Sequence, residues 1–385
     1  MTDSPDPGSS RRKRISTGAL YGGGLMGPFA AGIVASILPE LGASFDRTAD
    51  QAAVAIPAYF VPFALAMLVS GTLGQRWGVP RTVAGGYLLF VAATVLAALS
   101  PNWELFQLAR GLQGLANAFT TPLLLATLGL IAPRQRIGAA LGLFAAMQSV
   151  GQVFAPLFGG LFAHFSWRWA FGVVALAGVL LLVAGVPRPE RAPATARPGL
   201  RAAWTWPVLR LCLVYFVVGA ALTGLAFLVA LYTEQHFGLG SGERGLLLTG
   251  AGVLAILTSR TIGRQVDRRG WVRVGFPALL LGVATLGLMP VFGSVAAVAV
   301  LWALTGVSNQ GILVALNSRV LALPGAAGAV SVAQAARFLG TAAAPLLVLP
   351  VYRVHPDWGF WLPAMAVAAA AVLVVTSGPR TRAAG

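Results

Sequence analysis

Twelve stretches of this chain are apolar for as long as it takes to cross a bilayer, and nothing else limits its fold so strongly. They lie at about 15–38, 51–70, 82–99, 104–131, 137–163, 168–186, 207–232, 244–262, 274–292, 295–318, 325–350 and 358–377. A span needs ~20 apolar residues, and inside hydrocarbon the backbone must satisfy its own hydrogen bonds, which makes such stretches helices. The expected fold class is therefore an all-α membrane protein with twelve transmembrane helices. Composition agrees at the one point where it matters. Only 10% of residues are charged, against roughly 25% in soluble domains, so charge cannot coat a globular surface here.

The net charge of +16 would suit a polyanion if the arginines formed patches with interleaved aromatics. Instead they sit between the apolar runs. With both termini placed in the cytoplasm, most of the 27 basic residues fall on the inner side. Only Arg47, Arg168, Arg244 and Arg353 fall on the outer side, while Arg110, Arg260 and Arg337 lie in or at the ends of spans. This is a positive-inside pattern, so the charge reports topology and no nucleic-acid partner is expected. The opening segment, "MTDSPDPGSSRRKR", is polar, and no small-residue cleavage site follows a short apolar core. We therefore expect a disordered cytoplasmic tail over 1–14 and a retained first span. One cysteine, Cys212, and three scattered histidines, His164, His236 and His355, offer no disulfide within the chain and no metal site.

The chain also repeats itself. "GTLGQRWGVPR" at 71–81 resembles "GRQVDRRGWVR" at 263–273, with Gly71, Arg76, Gly78 and Arg81 opposite Gly263, Arg268, Gly270 and Arg273. One position differs, because Gln75 faces Asp267. Arg264 and Arg269 add to the second basic loop. In the fifth span Gly142, Gly151, Ala155-Pro156 and Gly159-Gly160 form a ridge of small residues, and Gly340 with Ala344-Pro345 answers it in the eleventh. A proline- and arginine-rich segment, 187–206, separates the copies. The expected organisation is a tail at 1–14, a six-helix bundle at 15–186, a cytoplasmic linker at 187–206, a second bundle at 207–377 and a tail at 378–385.

These motifs together resemble the major facilitator superfamily, most of all its twelve-span bacterial drug:proton antiporter branch. The two loop stretches resemble its motif A, "RGLQGLANA" (Arg110 to Ala118) its motif B, and Gly142 to Gly160 its motif C, with Ala155 where glycine usually precedes the proline. "WRWAF" at 167–171 also resembles the start of the family's sixth span. The resemblance implies two pseudo-symmetric bundles, loops that latch the cytoplasmic side, and a proton-transfer role for Arg110. Gln75 departs from it, since the family carries an aspartate there. An amide brings no charge to a positive helix end, so a weaker first latch is expected than at Asp267.

Ionisable groups deep in a membrane cost roughly 2.5–3.5 kcal/mol each on insertion scales and are functional candidates by default. None of the eleven acids falls mid-span. Glu104 comes nearest, but its spacing from Arg110 puts the two off a common face. The pathway candidates are therefore Arg110 with Gln113 and Asn117, Gln148 and Gln152, Asn309 and Gln310, and Gln334 with Arg337. Tyr21, Tyr59 and other aromatics, such as Phe29, Phe63, Tyr215 and Phe227, could supply apolar walls for an amphipathic ligand. No Walker loop, zinc spacing or nucleophile elbow is present, so no enzyme and no ATP-driven pump is expected.

The reading that follows is a non-enzymatic secondary transporter working by alternating access, with a polar hollow lined by both copies. It would act as a monomer in the bacterial cytoplasmic membrane, without cofactors and energised by the proton gradient. Its task would be efflux of amphipathic, drug-like small molecules. Uptake or export of a small metabolite or organic anion stays open, as does a non-transporting sensor or scaffold.

Overall fold

In a computed structural model the described residues are 7–133, 137–187, 205–323 and 326–376. Their regular structure is all helical, with no strand among them. The helices of the first half are α1 (Pro7–Ser36), α2 (Leu38–Ala43), α3 (Ala49–Ala52), α4 (Ala55–Trp77), α5 (Val79–Leu99), α6 (Trp103–Ala118), α7 (Thr121–Ile131), α8 (Ile137–Ala163) and α9 (Trp167–Ala184). The second half has α10 (Trp206–Val218), a π turn (Gly219–Thr223), α11 (Ala226–Phe237), α12 (Ser241–Arg269), α13 (Trp271–Leu288), α14 (Val295–Leu321), α15 (Ala326–Val354) and α16 (Trp358–Thr376).

Twelve segments are long and apolar enough to cross a membrane, from Ile15–Ser36 to Trp358–Thr376. Each expected span has its counterpart. Large apolar side chains point outward along them, among them Leu99, Val183 and Leu257, which are 74%, 80% and 71% exposed. In water such a surface would be costly; against acyl chains it is neutral.

Three expectations need correction. The helix α1 begins at Pro7, so residues 7–14 are helical rather than a disordered tail. The fourth span is broken: α6 ends at Ala118 and α7 starts at Thr121, with Pro122 in its first turn. Proline lacks an N–H and disfavours helical backbone at the residue before it, which explains the stop. The seventh span contains the π turn, where Gly224 N donates to Gly219 O at 2.8 Å, five residues back. Most of the linker expected at 187–206 lies outside the described residues, as does the tail expected at 378–385.

The chain divides into two compact units. The first is Met1–Thr195 with Gly240–Leu246, and the second is Ala196–Leu239 with Leu247–Gly385. The start of α12 counts with the first unit, apart from the rest of that helix. Within the first unit α1 packs on α8, and α5 packs on α6 and α9. Within the second, α10 packs on α15, and α13 packs on α14 and α16. Spans 1 and 5, 3 and 4, and 3 and 6 of one half are thus matched by the same spans of the other.

The repeated loops explain themselves in the backbone. Gly78 joins α4 to α5 at φ 88°, and Gly270 joins α12 to α13 at φ 83°. A single residue reverses the chain in both places, and at positive φ only glycine does so without strain.

Candidate functional site

Arg110 on α6 is a charge that the first unit buries completely. Gln113 and Asn117 follow it one and two turns later on the same face, as their spacing predicts. Arg110 Nε donates to Ala55 O at 3.5 Å, and Nη1 donates to Ala30 O at 3.2 Å and to Gln113 Oε1. Gln113 Nε2 then donates to Thr94 Oγ1 at 2.9 Å. The guanidinium also lies 4.5 Å from the Tyr59 ring centroid, and the Tyr59 hydroxyl donates to Gly27 O at 3.4 Å. One side chain therefore ties α6 to α1, α4 and, through Gln113, α5. Carbonyl dipoles and an aromatic face do the work of a counter-ion. Nη2 remains buried without an acceptor. Asn117 caps the break in the span, accepting from the Thr121 and Thr120 hydroxyls at 2.9 and 3.2 Å.

The second unit repeats this frame with other chemistry. Counting on by the spacing that separates Gly71 from Gly263, Arg110 corresponds to Trp302, Gln113 to Thr305 and Gly114 to Gly306. Trp302 Nε1 donates to Leu248 O at 3.1 Å, a carbonyl of α12 as Ala55 O is of α4. Thr305 Oγ1 meets Thr285 Oγ1 at 2.9 Å, as Gln113 meets Thr94. A side chain at Gly114 would strike the Tyr59 backbone, and one at Gly306 the Ala251 backbone. The duplication is thus deeper than the loops that first revealed it.

A separate polar cluster lies in the second unit. The Tyr215 hydroxyl on α10 donates to Asn317 Oδ1 on α14 at 2.6 Å, and Gln334 Nε2 on α15 donates to the same oxygen at 3.3 Å. Arg337 lies one turn beyond Gln334, with its guanidinium 4.4 Å from the Phe338 ring centroid. Gln334 Oε1 and Arg337 Nε are buried without partners. Asn309 accepts from Thr223 Oγ1 of the π turn at 3.1 Å. Gln310 and Gln148 are half-buried and Gln152 is exposed. Tyr21 packs beside the apolar cluster of Leu20, Tyr87, Leu124 and Phe144.

The acids sit where hydration or arginine reaches them. Glu104 is mostly exposed and pairs with Arg47 at 3.4 Å, an interfacial place away from Arg110. Sequence reasoning missed the other ion pair among the described residues. Arg244, 2% exposed, donates through Nη2 to Glu40 Oε1 and through Nε to Ser36 O at 3.3 Å. Both residues belong to the first unit. Glu40 Oε2 is buried and unpartnered, unlike any other carboxylate among the described residues. Thr94 and Asn317 were missed as well. Thr94 is a lone polar residue inside an apolar run, and that was the available signal; Asn317 is followed by Ser318 and Arg319 and reads as the polar end of its span.

The loop residues Gln75, Arg76, Arg81, Asp267, Arg268 and Arg273 are exposed, and none makes an ion pair among the described residues. The small-residue ridge of α8 serves close packing. A Cβ on Gly151 would strike Leu25 O of α1, and one on Gly159 would lie 2.7 Å from Ile33 O, while Gly142 faces open space. Gly160 and Pro156 meet the backbone of Ser241 and Gly245 in the segment that belongs to the same unit. In the second unit Gly340 meets Phe216 O in the same way. The first unit also holds an apolar recess of about 410 Å³, lined among others by Met26, Phe29, Phe154, Phe158 and Val174.

The fold and its relatives agree. The Major Facilitator Superfamily matches residues 20–345. The galactose-proton symporter of Escherichia coli (strain K12) is 30% identical over 164 residues, 42% of this chain and 35% of its own length. MdtD of Escherichia coli O6:K15:H31 (strain 536 / UPEC), named for multidrug resistance, is 30% identical over 185 residues, 48% of this chain and 38% of its own. The chain thus spans little more than a third of the length of these curated relatives. Among solved structures, a bacterial homologue of the human lysosomal transporter Spinster, inward-facing and occupied, superposes with a TM-score of 0.74 over 94% of both chains at 15% identity. Twelve spans in two matched sixes, a one-glycine reversal at the same point of each, and a match over most of the sequence lead to one conclusion: the chain belongs to the Major Facilitator Superfamily, and is a multi-pass membrane protein.

Proposed function

We propose that this transporter exports amphipathic small molecules by alternating access, drawing on the proton gradient, in a bacterial cytoplasmic membrane with both termini inside. The observation that carries the reading is Arg110. It is a buried guanidinium in a membrane-spanning helix, held by carbonyls and amides with no acid beside it. Such a group is too costly to keep for packing alone. The likeness of α8 to the antiporter helix and the relative named for multidrug resistance favour efflux. The apolar recess beside α1 and α8 suits the hydrophobic part of an amphipathic ligand.

A proton carrier must be a group that can exchange its proton within the cycle. Glu40 is our candidate, because one of its oxygens is buried and empty while the other is held by Arg244. Protonation would weaken that charge pair, and the hydrogen bond from Arg244 would lose its ionic partner. The test is efflux from proteoliposomes at imposed pH gradients, with a lipophilic dye as substrate. Wild type is expected to move the dye only when protons flow inward. Glu40→Gln is expected to retain dye binding but to move dye equally with and without the gradient. Dye movement by wild type that ignores the gradient would remove proton coupling. A gradient response surviving in Glu40→Gln would remove Glu40.

A further inference from the structure

We propose that the second unit contains an anion site in which Arg337 and Gln334 hold a carboxylate together with a hydrogen-bond donor beside it. Resting on the transport reading, this deepens it by naming the substrate class: an amphipathic organic anion of the hydroxy-acid or acylamino-acid kind.

The argument starts from accounting. Guanidinium carries five N–H donors and accepts nothing. Arg337 makes no ion pair among the described residues, and its Nε is buried without an acceptor. Its neighbour cannot help. Asn317 Oδ1 already takes the Tyr215 hydroxyl and Gln334 Nε2, which uses both of its lone pairs. The far end of the Gln334 amide, Oε1, is buried and accepts from nothing. One helix turn therefore presents an unmet cationic donor and an unmet neutral acceptor together. Leaving a buried polar group without its bond is unfavourable, and more so for a charged one.

The backbone beneath is built rigidly. A Cβ on Gly219, the first residue of the π turn, would run into the Arg337 carbonyl. Thr341 Oγ1 donates to both Gly219 O and Arg337 O at 3.2 Å. The π turn that follows α10 is thus pressed against the residue whose side chain is unsatisfied. Such turns are recurrently found at functional sites. The first unit supplies the contrast: the residue aligned with Arg337 by the motif spacing is Gln148, an uncharged amide. The cation is peculiar to one copy, and helix packing common to both does not require it.

A carboxylate meets the guanidinium fork with two parallel bonds. A hydroxyl or amide N–H next to that carboxylate would give Gln334 Oε1 its donor. An ester or primary amide in place of the carboxylate brings no charge and should be refused.

The test is calorimetric titration of the full chain in phosphatidylcholine nanodiscs, so that the lipid brings no net anion. The probes are 2-hydroxy-4-phenylbutyrate, 4-phenylbutyrate and 4-phenylbutyramide. The acid is expected to bind about tenfold or more tighter than the amide, and the hydroxy acid about fivefold tighter than the acid. Arg337→Gln should erase the first step, and Gln334→Leu the second alone. Arg337→Lys keeps charge without the fork and should fall between wild type and Arg337→Gln, should the latter fail to fold. Equal affinity for acid and amide, or no binding of either acid, overturns the proposal. So does competition by phosphatidylglycerol, which would assign the site to a lipid headgroup. Intact binding steps with no dye transport would instead remove the transport reading and leave the site standing.

Discussion

Arg110 and Trp302 occupy the same place in two copies of one design, and they treat the same problem differently. Each reaches across to a backbone carbonyl of the neighbouring helix, Ala55 O in one half and Leu248 O in the other. The indole has one donor and spends it. The guanidinium has five, and one nitrogen is left buried with none of its bonds made. A lock needs only the first solution. What the second adds is a charge inside the membrane, with a cost that packing does not recover. The cation of the other half has moved to α15, where Arg337 has, among the described residues, none of the carbonyls that hold Arg110. Duplication thus fixed the frame twice and left each copy free to place its charge.

The comparison can be broken most sharply at that pair. Arg110→Ala is expected to abolish transport and to lower stability by about 3 kcal/mol, since Gln113 and two carbonyls would lose their donor. Trp302→Phe should cost about 1 kcal/mol, one hydrogen bond, with transport retained. Thermal melting and dye efflux on the two variants check this. Equal loss of transport in both would make the two positions functionally alike.

The helix ridge gives a smaller contrast. Gly151→Ala and Gly340→Ala both push a methyl into a backbone carbonyl and should destabilise by about 1–3 kcal/mol. Gly142→Ala meets open space and should be neutral or slightly stabilising. Melting temperatures of the three variants would show whether the ridge serves packing at the matched positions only.

The smallest expected difference is between the two loops. Gly78→Ala and Gly270→Ala place a side chain at positive φ and should each cost about 1–2 kcal/mol, equal within error. A clear inequality in melting would mean that Gln75 and Asp267 alter the reversal itself, beyond the charge they present.

Most of the frame was legible in the sequence because the bilayer imposes a length and the helix reversals impose glycine. Gly78 and Gly270 could be paired before any coordinates were known, and so could α8 with α15. The polar stripe of Arg110, Gln113 and Asn117 was also legible, since a three- and four-residue spacing keeps a face. Distances across the chain were not. Nothing near Arg110 in sequence names Thr94 or Ala30 O, and Glu40 gives no local sign of Arg244. The break after Ala118 was signalled by Pro122 but submerged in an apolar run. Where every face of a helix is apolar, periodicity loses its power to mark a boundary.

The π turn at Gly219–Thr223 holds one residue more than an ordinary helical turn would use. Deleting a single residue there would let the span close up as a regular helix, and since the wide turn already absorbs that residue, both flanks would keep their faces. Tyr215 would stay opposite Asn317, while the backbone that presses on the Arg337 carbonyl would be redrawn. A one-codon loss at this point is thus a local edit, able to reshape the floor under one cation without turning the helix on either side.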